Sequence, residues 1–228
     1  MPLTGEPEKS GQVPLECSTD TEHETRNTEH GTRNTEHINL IKMKKLIAGI
    51  NMSLDGYCDH NAMDPDIEVH QHFNDLLRDG DTLFYGRITY QLMESYWPTI
   101  VQHPTGNKTV DEFALLIDNI PKIVYSRTLE QVDWKNTTLK KEVIKEEILE
   151  LKQQSGKNIF VGSPGLIVTC MELGLIDEYQ LCVHPVVLGS GLPLFKNIPD
   201  KMILKLIKTK VLGAGQIVLY YEHFDKSR

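Results

Sequence analysis

The alternation of apolar and polar positions becomes regular at residue 43. Residues 44–52 are a short apolar run of strand length that enters a Ser53-Leu54-Asp55-Gly56 turn. Residues 68–78 carry Val69, Phe73, Leu76 and Leu77 on one helical face and stop at Asp79-Gly80. Residues 82–85 are a second strand, and Gly86-Arg87 opens a helix expected to end before Trp97-Pro98. Residues 99–110 are polar and turn-rich, and residues 111–119 predict a short helix capped by Asp111. Residues 122–125 are a third strand ending at Ser126-Arg127, and Asp133-Trp134 suggests a short extended piece.

A charged helix over 142–154 follows, with Val143, Ile144, Ile148 and Leu151 along one stripe. The strand 158–161 then runs into Gly162-Ser163-Pro164-Gly165 and an apolar helix from Leu166 to Leu173. Residues 175–188 form the longest strand region, interrupted at Pro185 and followed by Gly189-Ser190-Gly191. Two arms, 204–211 and 216–221, flank Gly213-Ala214-Gly215 as a β-hairpin. Strands alternate with helices and then give way to strands alone. The fold class is α/β, with a mostly parallel sheet and an antiparallel edge.

Residues 1–42 have no such pattern. They hold few large apolar side chains and no aromatic, and a seven-residue repeat (Thr21–Asn27, Thr28–Asn34, Thr35–His37) puts Thr, His or Arg where a coiled coil needs apolar residues. His23, His30 and His37 recur at that period without a scaffold to hold an ion. The expected organisation is a disordered low-complexity extension over 1–42, with Met43 as the natural start, and one domain over 43–228.

Composition narrows the class. The chain has 228 residues, 39% hydrophobic and 25% charged, in the globular range, so 43–228 suffices for one core. A net charge of −8 argues against general nucleic-acid binding, which needs a basic face. No apolar run reaches membrane-spanning length, and no basic segment followed by an apolar stretch opens the chain. Cys17, Cys58, Cys170 and Cys182 have no regular spacing and are expected as reduced thiols of a cytoplasmic protein. His70 and His72, two apart on a helix, point to different faces, and no metal is expected there.

Candidate chemistry gathers where strands end. Gly162–Gly165 has the strand–glycine–helix form that aims backbone N–H groups at an anion, and it equally suits a tight turn. Gly86, Arg87 and Thr89 combine a helix start, a guanidinium and a hydroxyl; Ser126 and Arg127 repeat the last two. In a parallel sheet all three junctions can share one edge, where ligands bind. Two arginines and a glycine turn suit a phosphorylated dinucleotide, although each arginine also reads as a solvated charge. The G-x-G-x-x-G and G-x-x-x-x-G-K-[ST] motifs are both absent. Asp55 is the acid expected to face a substrate, or else simply forms the turn.

Five motifs, Ser53-Leu54-Asp55-Gly56, Gly86-Arg87-x-Thr89-Tyr90, Gly162–Leu166, Gly174-Leu175-Ile176-Asp177-Glu178 and Pro185–Phe195, together resemble the dihydrofolate-reductase-like superfamily. The resemblance covers about residues 43–223. It is nearest to the C-terminal reductase domain of the bifunctional riboflavin-biosynthesis deaminase/reductase and its stand-alone bacterial relatives.

The resemblance implies a central mixed sheet flanked by helices, with NADPH along the strand ends. It implies cofactor contacts from Gly86, Arg87, Thr89, Ser126, Arg127, Gly162, Ser163, Pro164, Gly165 and Leu166. It implies hydride transfer near Asp55 to a small heterocycle, as in 5-amino-6-(5-phosphoribosylamino)uracil reduction, and a homodimer. Dihydrofolate or pteridine reduction is the alternative within enzymes; a nucleotide-binding homodimer without turnover is the alternative outside them. Ser163 stands where the family usually has a second glycine, no zinc-bearing deaminase domain precedes the reductase region, and the helix acid of dihydrofolate reductases has no counterpart closer than Glu68.

Overall fold

The computed structural model describes residues 43–63 and 65–224. The readings made above for residues 1–42, Cys17 included, lie outside them. The elements in chain order are β1 (Leu46–Ser53), α1 (Ile67–Arg78), β2 (Gly80–Gly86), α2 (Arg87–Gln102), α3 (Lys108–Asn119), β3 (Lys122–Tyr125), β4 (Thr137–Lys140), α4 (Lys145–Gln153), β5 (Asn158–Val161), α5 (Pro164–Glu172), β6 (Glu178–His184), β7 (Leu204–Val211) and β8 (Ile217–His223).

The eight strands make one sheet in the order β4-β3-β2-β5-β1-β6-β8-β7. The first six run parallel; β8 returns antiparallel to β6, and β7 pairs with β8 as the outer arm of the hairpin. This is the mixed, mostly parallel sheet with an antiparallel C-terminal hairpin that the pattern predicts.

The central strands read as apolar runs because both faces are covered. On one face Leu46, Ala48, Ile50, Phe84, Ile159 and Val161 pack with α5, whose Leu166, Ile167, Cys170 and Met171 are buried. On the other, Ile47, Leu83, Tyr85 and Phe160 pack beneath α1, α2 and α3 through Leu76, Trp97, Phe113 and Ile117.

Four elements differ from expectation. Helix α2 continues through Pro98 to Gln102. Proline removes one helical N–H, but Trp97 packs against Phe113 at 4.5 Å between ring centroids and holds that turn on α3. Helix α3 starts at Lys108, because the Asn107 side chain accepts from the N–H groups of Thr109 and Val110. Asp111 instead accepts from the Thr105 and Gly106 amides and closes the loop ahead of the helix. Asp133-Trp134 is not a strand, since both backbone N–H groups donate to the Tyr90 hydroxyl. The strand in this region is β4, paired with β3. Strand β6 is shorter than the apolar run: Leu175 and Ile176 enter the core ahead of it, and Pro185 lies beyond its end.

Candidate active site

Strand order places the three junctions side by side. Gly86 pairs in register with Tyr125, and Phe84 with Val161, so the chain leaves β3 at Ser126, β2 at Gly86 and β5 at Gly162 along one edge. The Gly86 amide donates to Ser163 Oγ at 2.9 Å, which ties the β2–α2 junction to the β5–α5 junction. Ser163 is buried with that bond. The Ser163 side chain therefore braces the turn.

Next to these junctions is a cavity of about 720 Å³. Its floor is the carboxyl half of β1 (Gly49, Ile50, Asn51) with Phe160, Gly162 and Tyr85. Its walls are α1, α2 and α3, and its rim is formed by Cys58, Asp59, His60, Met63, Pro65, Pro164 and Leu192. Gly49 is required at the floor: a Cβ there would lie 2.4 Å from Phe160 Cε2 and 2.9 Å from Leu76 Cδ2. The surface is mainly apolar with a few polar groups, as expected of a small-molecule site.

The sequence candidates divide into two groups. Thr89, Gly162 and Pro164 line the cavity. Gly165 is exposed, and a Cβ there would meet nothing within 4 Å, so the first turn of α5 is open. Arg87 is exposed and donates to Gln91 Oε1 at 3.1 Å. Arg127 is exposed one strand further along. The others are engaged with the protein. Ser126 Oγ accepts from the amides of Thr128 and Leu129, closing a turn after β3. Leu166 is a core residue.

Asp55, expected to face a substrate, is exposed and outside the residues lining the cavity. Its carboxylate accepts from Ser53 Oγ at 2.6 Å, Leu188 N at 3.1 Å and Gly189 N at 2.7 Å. These bonds, that of Ser53 foremost, hold its pKa down at about 2. The structure makes it an anchor for the loop after β6, ionised at neutral pH.

Three polar residues line or support the cavity without having been singled out from the sequence. Asp59 lines it and accepts from Leu192 N at 2.7 Å through Oδ2. Asn51 lines the floor, and its Oδ1 lies 3.0 Å from His184 Nε2. His184 is buried at the end of β6, where desolvation lowers its pKa. Cavity and support are joined by the parallel register, in which Asn51 faces Cys182 and Ser53 faces His184. No helix among the described residues is long and apolar enough to cross a membrane, and no group of three potential metal ligands occurs among them.

Comparison with known proteins agrees with this architecture. The chain is 34% identical over 191 residues to the uncharacterized protein YyaP of Bacillus subtilis, covering 80% of this chain and 97% of that one. Among solved structures it is similar to the diaminohydroxyphosphoribosylaminopyrimidine deaminase/5-amino-6-(5-phosphoribosylamino)uracil reductase of Thermotoga maritima (TM-score 0.52, 13% identity, 80% of this chain and 57% of that one). It is also similar to the dihydrofolate reductase of Enterococcus faecalis complexed with NADP(H) and RAB-propyl (TM-score 0.51, 16% identity, 79% of this chain and 97% of that one). The model of the RibD C-terminal domain matches residues 44–218. With that match over most of its length, and with a dihydrofolate-reductase-like fold, the chain belongs to the RibD C-terminal domain family.

Proposed function

We propose that the protein is an NADPH-dependent reductase of a small heterocyclic substrate, related in chemistry to the pyrimidine reductases of riboflavin biosynthesis. The observation that carries this reading is the cavity at the carboxyl ends of β1, β2 and β5, opening beside the free first turn of α5, in a chain of the RibD C-terminal domain family.

The residues present fit a dinucleotide. The first amides of α5 have no intrahelical partner, and Gly165 leaves them accessible to a pyrophosphate. Arg87 and Arg127 offer bidentate donors for a 2′-phosphate, and Thr89 a hydroxyl between cavity and junction. Gly49 and Gly162 present bare backbone to a flat ring. When bound, the dihydronicotinamide supplies the hydride. Asp59 holds its Oδ2 on Leu192 N, which leaves Oδ1 to relay a proton to a substrate nitrogen through water. Asp55 serves the same site from outside by fixing the loop that leads to Leu192.

The reading extends to assembly and compartment. Strand β7 ends the sheet, with Leu206 50%, Ile207 45% and Val211 71% exposed, and a homodimer would cover it. The unpaired, buried thiols of Cys58, Cys170 and Cys182 suit the reducing cytoplasm. The test is a titration with NADPH and NADH followed by melting temperature, then loss of NADPH absorbance over a panel of pyrimidines and pterins. Stabilisation and oxidation are expected. Binding without oxidation of any ring would favour a nucleotide-binding module, and no shift at about 1 mM NADPH would contradict both readings.

A further inference from the structure

We infer that the cavity takes a flat, uncharged ring bearing no phosphate, and that the Asn51 carboxamide, set by His184, donates to an acceptor atom of that ring. The inference rests on the reading of this cavity as a reductase's substrate site.

Ring shape follows from the walls. Phe73, Tyr96, Trp97 and Phe113 line the part of the cavity between α1, α2 and α3. Trp97 and Phe113 pack at 4.5 Å, and His70 meets both edge-on, at 6.3 Å and 5.9 Å. Aromatic faces and edges at these spacings favour a planar guest.

Charge follows from the same surface. No lysine or arginine stands among the described residues lining the cavity, whereas the Asp59 carboxylate does. A phosphate placed here would lose its hydration against apolar rings and face a like charge. His70 lies with Nδ1 3.0 Å from the Asp66 carbonyl, so that nitrogen donates to the backbone and is not free to meet a phosphate. The exposed Arg87 and Arg127 stand at the strand ends outside the lining. Cationic recognition thus belongs to the cofactor's side, unlike what the Thermotoga maritima reductase's phosphoribosylamino substrate requires.

Polarity follows from Asn51. His184 Nε2–H donates to its Oδ1 at 3.0 Å from a buried position, which orients the amide and leaves Nδ2 as the group presented to the cavity. A donor with no competing acceptor selects a carbonyl oxygen or an unprotonated ring nitrogen.

The experiment is calorimetric titration of the full chain, with and without saturating NADPH, using two matched pairs: 6-hydroxymethylpterin and its phosphate monoester, and uridine and uridine 5′-phosphate. At least one unphosphorylated ring is expected to bind about tenfold or more tightly than its ester. Equal or tighter binding of both esters overturns the inference. Asn51→Ala is expected to weaken the ring about five- to tenfold, with Asn51→Ser as the second variant should the first not fold.

His184→Phe should give a similar loss, and His184→Gln, which keeps an N–H donor, should restore affinity. Unchanged affinity in Asn51→Ala and Asn51→Ser, or equal loss in His184→Phe and His184→Gln, contradicts the positioning role. Ring binding without NADPH binding contradicts the reductase reading while upholding the ligand class. NADPH binding with no ring bound in either form overturns the inference and leaves the reductase reading standing.

Discussion

The two edges of the sheet treat their polar groups in opposite ways. At the amino edge, charged side chains are buried and satisfied by the protein itself. Lys44 Nζ meets Asp81 at 2.8 Å, Lys152 Nζ meets Asp177 at 2.6 Å, and Lys122 Nζ donates to the carbonyls of Asp118, Ile120 and Lys135. Lys122 also lies 4.3 Å from the Trp134 ring centroid. At the carboxyl edge the junctions carry Gly86, Ser126 and Gly162, two arginines are exposed, and a cavity opens beside them. Ser163, Ser126, Asp55 and Asp59 accept backbone N–H groups there, and Ser163 and Asp55 brace loops that border the cavity. The contrast teaches that one edge carries stability and the other is left available for a ligand.

The largest expected effect lies at the closed edge. Lys122→Ala would leave a hole and three carbonyls without their donor, and should cost about 3 kcal/mol in urea unfolding while leaving NADPH affinity unchanged. Desolvation lowers the Lys122 pKa from 10.5 to about 8. Between those values the unfolded chain holds the proton that the folded chain releases, so this group adds stability as pH rises from about 8 to 10.5. The wild type should gain stability relative to Lys122→Ala over that range. Equal pH profiles would contradict the assignment.

His72 belongs to neither edge and provides a control in acid. It is 4% exposed, among Phe73 and Tyr220, and burial lowers its pKa from 6.5 to about 4. The unfolded chain takes up a proton first, so stability falls as pH drops from 6.5 towards 4, by about 3 kcal/mol in full. His72→Leu should flatten that limb.

At the open edge, Gly49→Ala should destabilise by about 2 kcal/mol through overpacking against Phe160, and should also weaken ring binding, because the floor of the cavity moves. An intact affinity would separate Gly49 from the site. The smallest effect is expected for Arg87→Ala, which should leave stability unchanged and weaken NADPH about tenfold more than NADH. Equal weakening of both would move Arg87 away from the 2′-phosphate.

Much of the fold is legible in the sequence because β1, β2, β3 and β5 are short apolar runs that end in glycine or serine turns. The edge strand β4 is not, since Thr137–Lys140 is polar, half exposed and flanked by lysines. The ends of α2 and α3 escape local rules for tertiary reasons: Trp97 packing carries a helix past its proline, and Asn107 caps ahead of Asp111. The site shows the same division. Gly86, Ser126 and Gly162 can be placed on one edge from strand order alone. The Asn51–His184 contact joins positions 133 residues apart, and nothing short of the β1–β6 register reveals it. Asp55 is ambiguous in the sequence because a turn aspartate and a substrate-facing one look alike there, and only the structure reveals its three hydrogen-bond donors.

A crystal structure of the protein with NADPH tests the central claim most directly. The expected density places the nicotinamide in the cavity against Gly49 and Gly162 and the pyrophosphate at the first turn of α5. Density for the cofactor elsewhere, with the cavity and the α5 turn bare, would contradict the account.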